Sequence, residues 1–164
     1  MKKGLVLVAV LVLALSIGGF ALENGPEGFR GLNWGDPRTE DMEFVDEIKG
    51  AKVYVRPADK LSLGKAKLDM ILYYFWKSEF MRVSLHFIGK ENYDLLETIC
   101  LAKFGEETSQ ELFSIYWFNL QAGVSLNYDL IEEKGALSLD NWPLFKEYME
   151  TGKKKEVEEV EADW

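Results

Sequence analysis

The chain of 164 residues carries 19 basic and 28 acidic residues, and its net charge is −9. So acidic a protein is a poor candidate for binding nucleic acid or anionic lipid, because both ligands require clustered positive charge. One histidine and one cysteine exclude the usual zinc-binding spacings and an internal disulfide. Because the sequence also has no glycine-rich phosphate loop and no calcium loop of the D-x-D-x-D-G type, we expect no metal and no cofactor.

The N-terminus has the organisation of a secretory signal peptide. Lys2 and Lys3 precede an unbroken apolar run over 5–15, and small residues stand at Gly19 and Ala21, which predicts cleavage after Ala21. A transmembrane anchor is the alternative, but a span needs about 20 apolar residues and this run is shorter. Cleavage would leave 143 of the 164 residues, with a net charge of −11 because two lysines are lost. We therefore expect an exported protein, periplasmic or extracellular, with no stable membrane span after cleavage.

The first elements of the mature chain are a turn, a helix and a strand. Two glycines, an aromatic pair and a proline over 29–37 predict a fixed turn that buries the aromatic pair. Asp36 and Pro37 are residue types favoured at the N-cap and first position of a helix. We therefore predict a helix from there to Gly50, followed by a strand at 53–56.

The strongest structural pattern is the stretch 68–89, where two aromatic-rich apolar runs flank the polar tripeptide 77–79. This arrangement predicts a β-hairpin. In its second run, the period of two places Met81, Val83, Leu85 and Phe87 on one face and Phe80, Arg82, Ser84, His86 and Ile88 on the other. Both strands are apolar on much of both faces, so the hairpin should be central and covered on one side by helices.

The second half of the chain repeats this order of elements. Apolar residues at helical spacing over 91–104, followed by Gly105, predict a second helix. Cys100 lies on or beside its apolar stripe, so we expect a buried, inert thiol. The remaining predicted elements are strands at 112–118 and 124–130, a short strand around 137–139, and a short helix at 144–149.

These elements predict an α+β domain. The order is α-β-β-β twice, and the short links between strands predict antiparallel pairing. We expect residues 1–21 to be the signal peptide and residues 22–150 to form one domain, with an antiparallel sheet of about six strands and helices on one face. The charged stretch 151–164 is predicted to be a frayed or disordered tail.

Aromatic residues suggest a function for this sheet, since 22 of the 164 residues are Phe, Trp or Tyr. Consecutive aromatics in a strand, as in 73–76, must point to both faces. Either all of them are core, or one aromatic face is left partly open for a partner or a small apolar ligand. In the second case the candidate binding residues are Tyr74, Trp76, Arg82 and His86.

His86 also raises a catalytic alternative. It shares a strand face with Ser84, and with an unrecognised carboxylate it could serve a small periplasmic hydrolase or transferase. Residues two apart on one strand are about 7 Å apart, too far for a direct hydrogen bond, and no G-x-S-x-G motif occurs. We therefore assign no catalytic residue and predict an exported, non-catalytic binding module for a protein or cell-envelope component, with the His86 enzyme as the alternative.

A resemblance adds to this prediction. The segment 29–35, FRGLNWG, resembles the F-R-G-x-x-W-G start of a functionally uncharacterised family of small exported bacterial proteins. The resemblance continues at Tyr54-x-Arg56, Leu63-Gly64, Tyr73-x-Phe75 and Leu101-x-x-Phe104-Gly105. It implies export and a common fold, but it transfers no active site. In topology the chain is also similar to small outer-membrane assembly lipoproteins and β-lactamase-inhibitor-like modules, which are binding proteins, although it lacks the lipidated cysteine of the lipoproteins.

Overall fold

A computed structural model describes residue 22 and residues 24–162, so the predicted signal peptide, 1–21, lies outside the described residues. Within this part of the chain there are twelve strands and two helices. They are β1 (Gly28–Phe29), β2 (Leu32–Asn33), β3 (Glu43–Ile48), β4 (Ala51–Val55), β5 (Ser62–Leu63), β6 (Ala66–Lys67), β7 (Met70–Trp76), β8 (Glu79–Ile88), α1 (Lys90–Phe104), β9 (Ser109–Glu111), β10 (Ser114–Phe118), β11 (Ala122–Asp129), β12 (Lys134–Asn141) and α2 (Trp142–Ala162).

Eight of these strands form one antiparallel sheet in the order β3-β4-β7-β8-β12-β11-β10-β9. The first four belong to the first half of the chain and are followed by α1, and the other four belong to the second half and are followed by α2. The last strands of the two halves, β8 and β12, pair at the centre, where Leu85 lies opposite Leu137. The predicted α+β class with an antiparallel sheet is confirmed, but the sheet has eight strands rather than about six, and the repeated order is β-β-β-β-α rather than α-β-β-β.

The predicted helix ending at Gly50 is wrong, because β3 and β4 form a hairpin there. Lys49 and Gly50 have φ angles of 49° and 86°, which is the backbone conformation of a two-residue hairpin turn. Asp36 does not cap a helix; its carboxylate accepts a hydrogen bond at 2.8 Å from the backbone N–H of Asn33 and closes a turn. The glycine that resembled a helix stop is therefore the second residue of a strand-to-strand turn.

The two helices pack on opposite faces of the sheet. On the α1 face, Leu96 and Cys100 join the main hydrophobic cluster with the β8 residues Val83, Leu85 and Phe87. On the α2 face, Leu144 and Tyr148 join a smaller cluster with Ala51, Trp76 and Met81. The prediction that helices cover one face only is wrong, because both faces carry apolar side chains that must be buried.

A β-bulge changes the faces of two residues in β8. Tyr74 lies opposite Arg82 but Phe75 lies opposite Phe80, so Met81 is the extra residue. Phe80 consequently joins the main cluster on the α1 face and Met81 joins the cluster on the α2 face, the reverse of the assignment predicted from strict alternation. Beyond the bulge the predicted alternation holds for Val83, Leu85 and Phe87, which are all buried on the α1 face.

The two helices bear on two further predictions. Cys100 is fully buried on α1, as predicted, and burial raises the pKa of its thiol to about 12, which keeps it protonated at neutral pH. The second helix, α2, continues through residues 151–162, most of the stretch whose charge pattern predicts a tail. In the part of the chain that the structure describes, neither helix is long and apolar enough to cross a membrane.

Candidate functional site

Three of the four predicted binding residues lie on the α2 face, where they pack with α2. Trp76 is 7% exposed, and its ring centre lies 5.9 Å from that of Tyr148. Arg82 donates hydrogen bonds from Nε and Nη2 to the carboxylate of Asp140, and its guanidinium lies 4.0 Å from the ring centre of Phe145. The third residue, Tyr74, is half-buried against the same cluster. These side chains are engaged within the fold and present little free surface to a partner.

The fourth residue, His86, lies further along β8 in a shallow surface depression of about 410 Å³. Ser114, Asn127 and Lys134 also line this depression. Burial lowers the pKa of His86 from its ordinary value, although the nearby carboxylate of Asp69 opposes the shift. The imidazole is therefore neutral at pH 7, and its Nε2 is buried without a hydrogen-bond partner among the described residues.

Ser84 and His86 on β8 do not form a nucleophile–base couple. The hydroxyl of Ser84 lies 3.2 Å from that of Ser138 on the neighbouring strand, so its hydrogen bond goes across the sheet. Among the described residues, no hydrogen bond connects Ser84 with His86. No group of His, Cys, Asp and Glu side chains in this part of the chain could hold a metal ion. The geometry therefore adds nothing to the catalytic alternative.

A different feature lies on the α1 face, beside the tight turns of the β3–β4 and β7–β8 hairpins. A cavity of about 340 Å³ has Tyr54 and Phe75 at its floor and Arg38, Lys52 and Lys77 around it. We call these five residues the cationic cleft. A neighbouring cavity of about 450 Å³ shares Arg38, Lys52 and Tyr54 with it. The two cavities adjoin, and we call them together the groove.

The floor of the cationic cleft is a chain of aromatic rings. The rings of Tyr54 and Phe75 meet edge to face with centroids 5.5 Å apart, and Phe44 meets Tyr54 in the same way at 5.8 Å. Tyr54 and Phe75 are buried, but Phe44 is 58% exposed and lines the neighbouring cavity. The groove thus offers an apolar ring wall beside its positive charges.

The positive charges of the cleft are poorly neutralised by the protein itself. Lys77 pairs with Glu147 of α2 at 2.6 Å. Arg38 lies over the Tyr54 ring at 5.6 Å and makes one long hydrogen bond, 3.4 Å, to the carbonyl of Thr39. Neither Arg38 nor Lys52 has an ion-pair partner among the described residues, although acidic residues outnumber basic ones by 28 to 19 in the chain. Glu47 lies opposite Lys52 in the β3–β4 hairpin and lines the neighbouring cavity, but it forms no ion pair with Lys52 or Arg38. Two cations without an ion-pair partner that line one cavity can hold an anionic group.

Three residues of the resemblance, Arg30, Arg56 and Tyr73, form a partly buried polar network with Asp59. Arg30 lies 3.4 Å from the carboxylate of Asp59, which also accepts a hydrogen bond from the Tyr73 hydroxyl. Arg56 donates a hydrogen bond to the backbone carbonyl of Arg30 and lies 5.4 Å above the Tyr73 ring. Burial and this acceptor raise the pKa of Tyr73 above its ordinary value. The network connects the N-terminal turns and the loop after β4 with Tyr73 on the central strand β7.

The sequence pattern does not predict the cationic cleft, because it predicts a helix where β3 stands. The local pattern contains a usable sign, since Lys49-Gly50 is a hairpin-turn sequence and Lys52, Val53 and Tyr54 alternate in polarity. A hairpin turn followed by this alternation places Lys52 and Tyr54 on one face of a strand. The position of Arg38 above Tyr54 depends on a loop conformation that the pattern does not specify.

Comparison of the chain with protein-family models, with curated proteins and with solved structures finds no match in any of the three. No activity, ligand or partner is therefore carried over from a relative. The functional proposals below depend on the geometry and charge of the described residues.

Proposed function

We propose that the chain is an exported, non-catalytic binding module, and that it binds a protein of the cell envelope by adding a strand of that protein to β3. The observation that carries this proposal is that β3 forms one edge of the eight-stranded sheet. All six of its residues are exposed, including Phe44, Val45 and Ile48. An edge strand with free backbone groups and exposed apolar side chains is a template for strand addition.

The opposite edge is a weaker template. There β9 has three residues, Ser109–Glu111, all polar and exposed. With six residues, β3 is twice as long and provides apolar contacts together with backbone hydrogen bonds. The long edge is therefore the better docking surface.

The charge of β3 supports a basic partner strand. Glu43, Asp46 and Glu47 supply three carboxylates in six residues. Like charges placed opposite each other in neighbouring strands are unfavourable, so pairing of β3 with a second copy of itself is disfavoured. A strand that carries Lys or Arg next to apolar residues would complement both properties of this edge.

Export is supported by the sequence alone. Residues 1–21 have the pattern of a cleavable signal peptide, and the resemblance at 29–35 is to a family of small exported bacterial proteins. Both observations favour a periplasmic or extracellular location. A periplasmic location would bring the chain into contact with proteins of the cell envelope.

Site-specific photo-crosslinking in the cells that naturally make the protein tests this proposal. A photoreactive amino acid at Val45 should give one discrete protein adduct on irradiation. The same amino acid at Ile131, which is 93% exposed in the turn between β11 and β12, should give none. No adduct at position 45, or the same adduct at both positions, would contradict the proposal.

Charge reversal then tests the basic character of the partner. The variant Glu43→Lys/Asp46→Lys should remove the adduct at position 45, because the edge would repel a basic strand. The control Glu106→Lys/Glu107→Lys changes the net charge equally in the link before β9 and should keep the adduct. An adduct that survives the first variant, or is lost in both, would show that edge charge does not select the partner.

A further inference from the structure

The groove on the α1 face points to a second binding activity, which uses side chains on that face rather than the free backbone groups of the β3 edge. We propose that the cationic cleft binds a small organic anion, a carboxylate attached to a planar aromatic body. Arg38 and Lys52 would hold the carboxylate, and the exposed ring of Phe44 with the edge of Tyr54 would hold the aromatic body.

The size of the groove fits such a ligand. Its two adjoining cavities have volumes of about 340 Å³ and 450 Å³. Small-molecule sites in proteins commonly enclose about 300–1,000 Å³. The groove is therefore large enough for a bicyclic aromatic acid.

The electrostatics of the molecule favour an anion at this place and oppose it elsewhere. With a net charge of −9, the protein repels anions over most of its surface. The 340 Å³ cavity is lined by three cations and no acid, and neither Arg38 nor Lys52 has an ion-pair partner among the described residues. One acid, Glu47, lines the neighbouring cavity opposite Lys52, so the carboxylate of a ligand belongs in the 340 Å³ cavity and its ring beside Phe44. A carboxylate bound there would supply the partner that the protein does not.

The aromatic component follows from the wall of the groove. Phe44 is 58% exposed, and it lies edge to face with Tyr54, over which the Arg38 guanidinium sits at 5.6 Å. A planar ring can therefore contact Phe44 while its carboxylate reaches the two cations. A small inorganic anion would use the charges but leave this apolar wall exposed to water.

Titration of the purified chain, lacking residues 1–21, with 2-naphthoate tests the proposal without any protein partner. Backbone amide resonances observed by NMR should show saturable shifts around Tyr54 and Phe75. The neutral analogue 2-naphthamide, which has the same ring system but no charge, should bind at least about tenfold more weakly. Equal affinity of the two compounds, or no saturable shift with 2-naphthoate, would overturn the proposal.

Two double variants test whether Arg38 and Lys52 bind the carboxylate of the ligand. Arg38→Gln/Lys52→Gln should lower the affinity for 2-naphthoate at least about tenfold, and it should leave the weak affinity for 2-naphthamide unchanged. Lys60→Gln/Lys65→Gln removes two exposed cations outside the cleft and should leave both affinities unchanged. Equal loss of 2-naphthoate binding in both variants would reduce the effect to net charge and overturn the assignment. The result is independent of crosslinking at Val45, so the two proposals can fail separately.

Discussion

The two faces of the central sheet are stabilised in different ways. The α1 face is an apolar core, in which fully buried side chains such as Phe80, Leu85 and Trp117 pack with one another and with α1. The α2 face has a small apolar cluster next to buried polar pairs formed between β8 and β12. Both sets of side chains come from the same strands, so the strand sequence encodes two different surfaces by alternation.

The polar pairs on the α2 face specify how the two halves of the chain join. Arg82 lies opposite Asp140, and Ser84 lies opposite Ser138, with a hydrogen-bonded contact in each pair. A slip of two residues would place Arg82 opposite Ser138 and leave the buried carboxylate of Asp140 without its guanidinium. Apolar burial on the α1 face is non-directional, whereas these pairs favour one register.

The largest expected effect comes from an aromatic ring on the α1 face. Phe80 is fully buried and has the rings of Trp34, Phe75 and Tyr73 within 4.8–5.9 Å. We expect Phe80→Ala to lower the free energy of unfolding by about 3–5 kcal/mol, because it removes a large buried side chain and leaves a cavity. Urea denaturation followed by circular dichroism measures this loss.

The matched control is a phenylalanine on the α2 face. Phe145 is half-buried and covers the guanidinium of Arg82. Phe145→Ala should cost about 1–2 kcal/mol, since less apolar area is buried and a cation–π contact contributes about 0.5–1 kcal/mol. If the two substitutions cost the same, the α2 face is as strongly packed as the α1 face and the proposed contrast does not hold.

The next effect concerns the ion pair on the α2 face. Asp140 is 4% exposed, and burial raises the pKa of its carboxyl in spite of the Arg82 guanidinium beside it. We expect Asp140→Ala to cost about 2–3 kcal/mol, because the guanidinium of Arg82 is left without its acceptor under α2. The same denaturation experiment gives the value.

A double replacement separates pair formation from burial. Arg82→Met/Asp140→Leu replaces both charged side chains by apolar ones of similar size. It should therefore recover most of the stability lost in Asp140→Ala. We expect the recovered protein to show faster amide hydrogen exchange in β8 and β12, because the Ser84–Ser138 pair is then the remaining polar side-chain contact between these strands that favours the register. A double variant as unstable as the single one would mean that the pair itself, and not the unpaired charge, provides the stability.

The sequence predicts those elements whose patterns are local. The hairpin of β7 and β8 follows from two apolar runs around a polar turn, and β11 follows from clean alternation over 124–130. The burial of Cys100 follows from the stripe of α1. Each of these depends on residues that are close together in the chain.

Other features depend on residues that are far apart or on competing local patterns. Arg82 and Asp140 are 58 positions apart, so their pairing could not be predicted from strand alternation. The packing of α2 over this face of the sheet could not be predicted from it either. At Asp36 and Pro37 the helix-start pattern competes with the hairpin turn at Lys49-Gly50, and the hairpin prevails because β4 pairs with the central β7. The cationic cleft was missed for the same reason, since its residue Arg38 falls within the predicted helix.

The smallest expected effect concerns the end of the α2 face where His86 lies in its depression. Burial lowers the pKa of His86 in the folded protein below its ordinary value of 6.5. As the pH falls through 6.5, the unfolded chain binds a proton that the folded protein does not yet bind, so the free energy of unfolding decreases. We therefore expect urea denaturation to show a larger loss of stability between pH 7.5 and pH 5.5 in the natural sequence than in His86→Gln.

The difference between the two proteins isolates His86 from the other groups on this face. The raised pKa of Asp140 acts in the opposite direction, because protonation of the folded protein then stabilises it as the pH falls, and this contribution is present in both proteins. His86 is the only histidine in the chain, so no other imidazole titrates in this range. Equal pH dependence in both proteins would mean that water reaches the His86 ring in solution, and the α2 face would then be open at this end in the way that a binding surface requires.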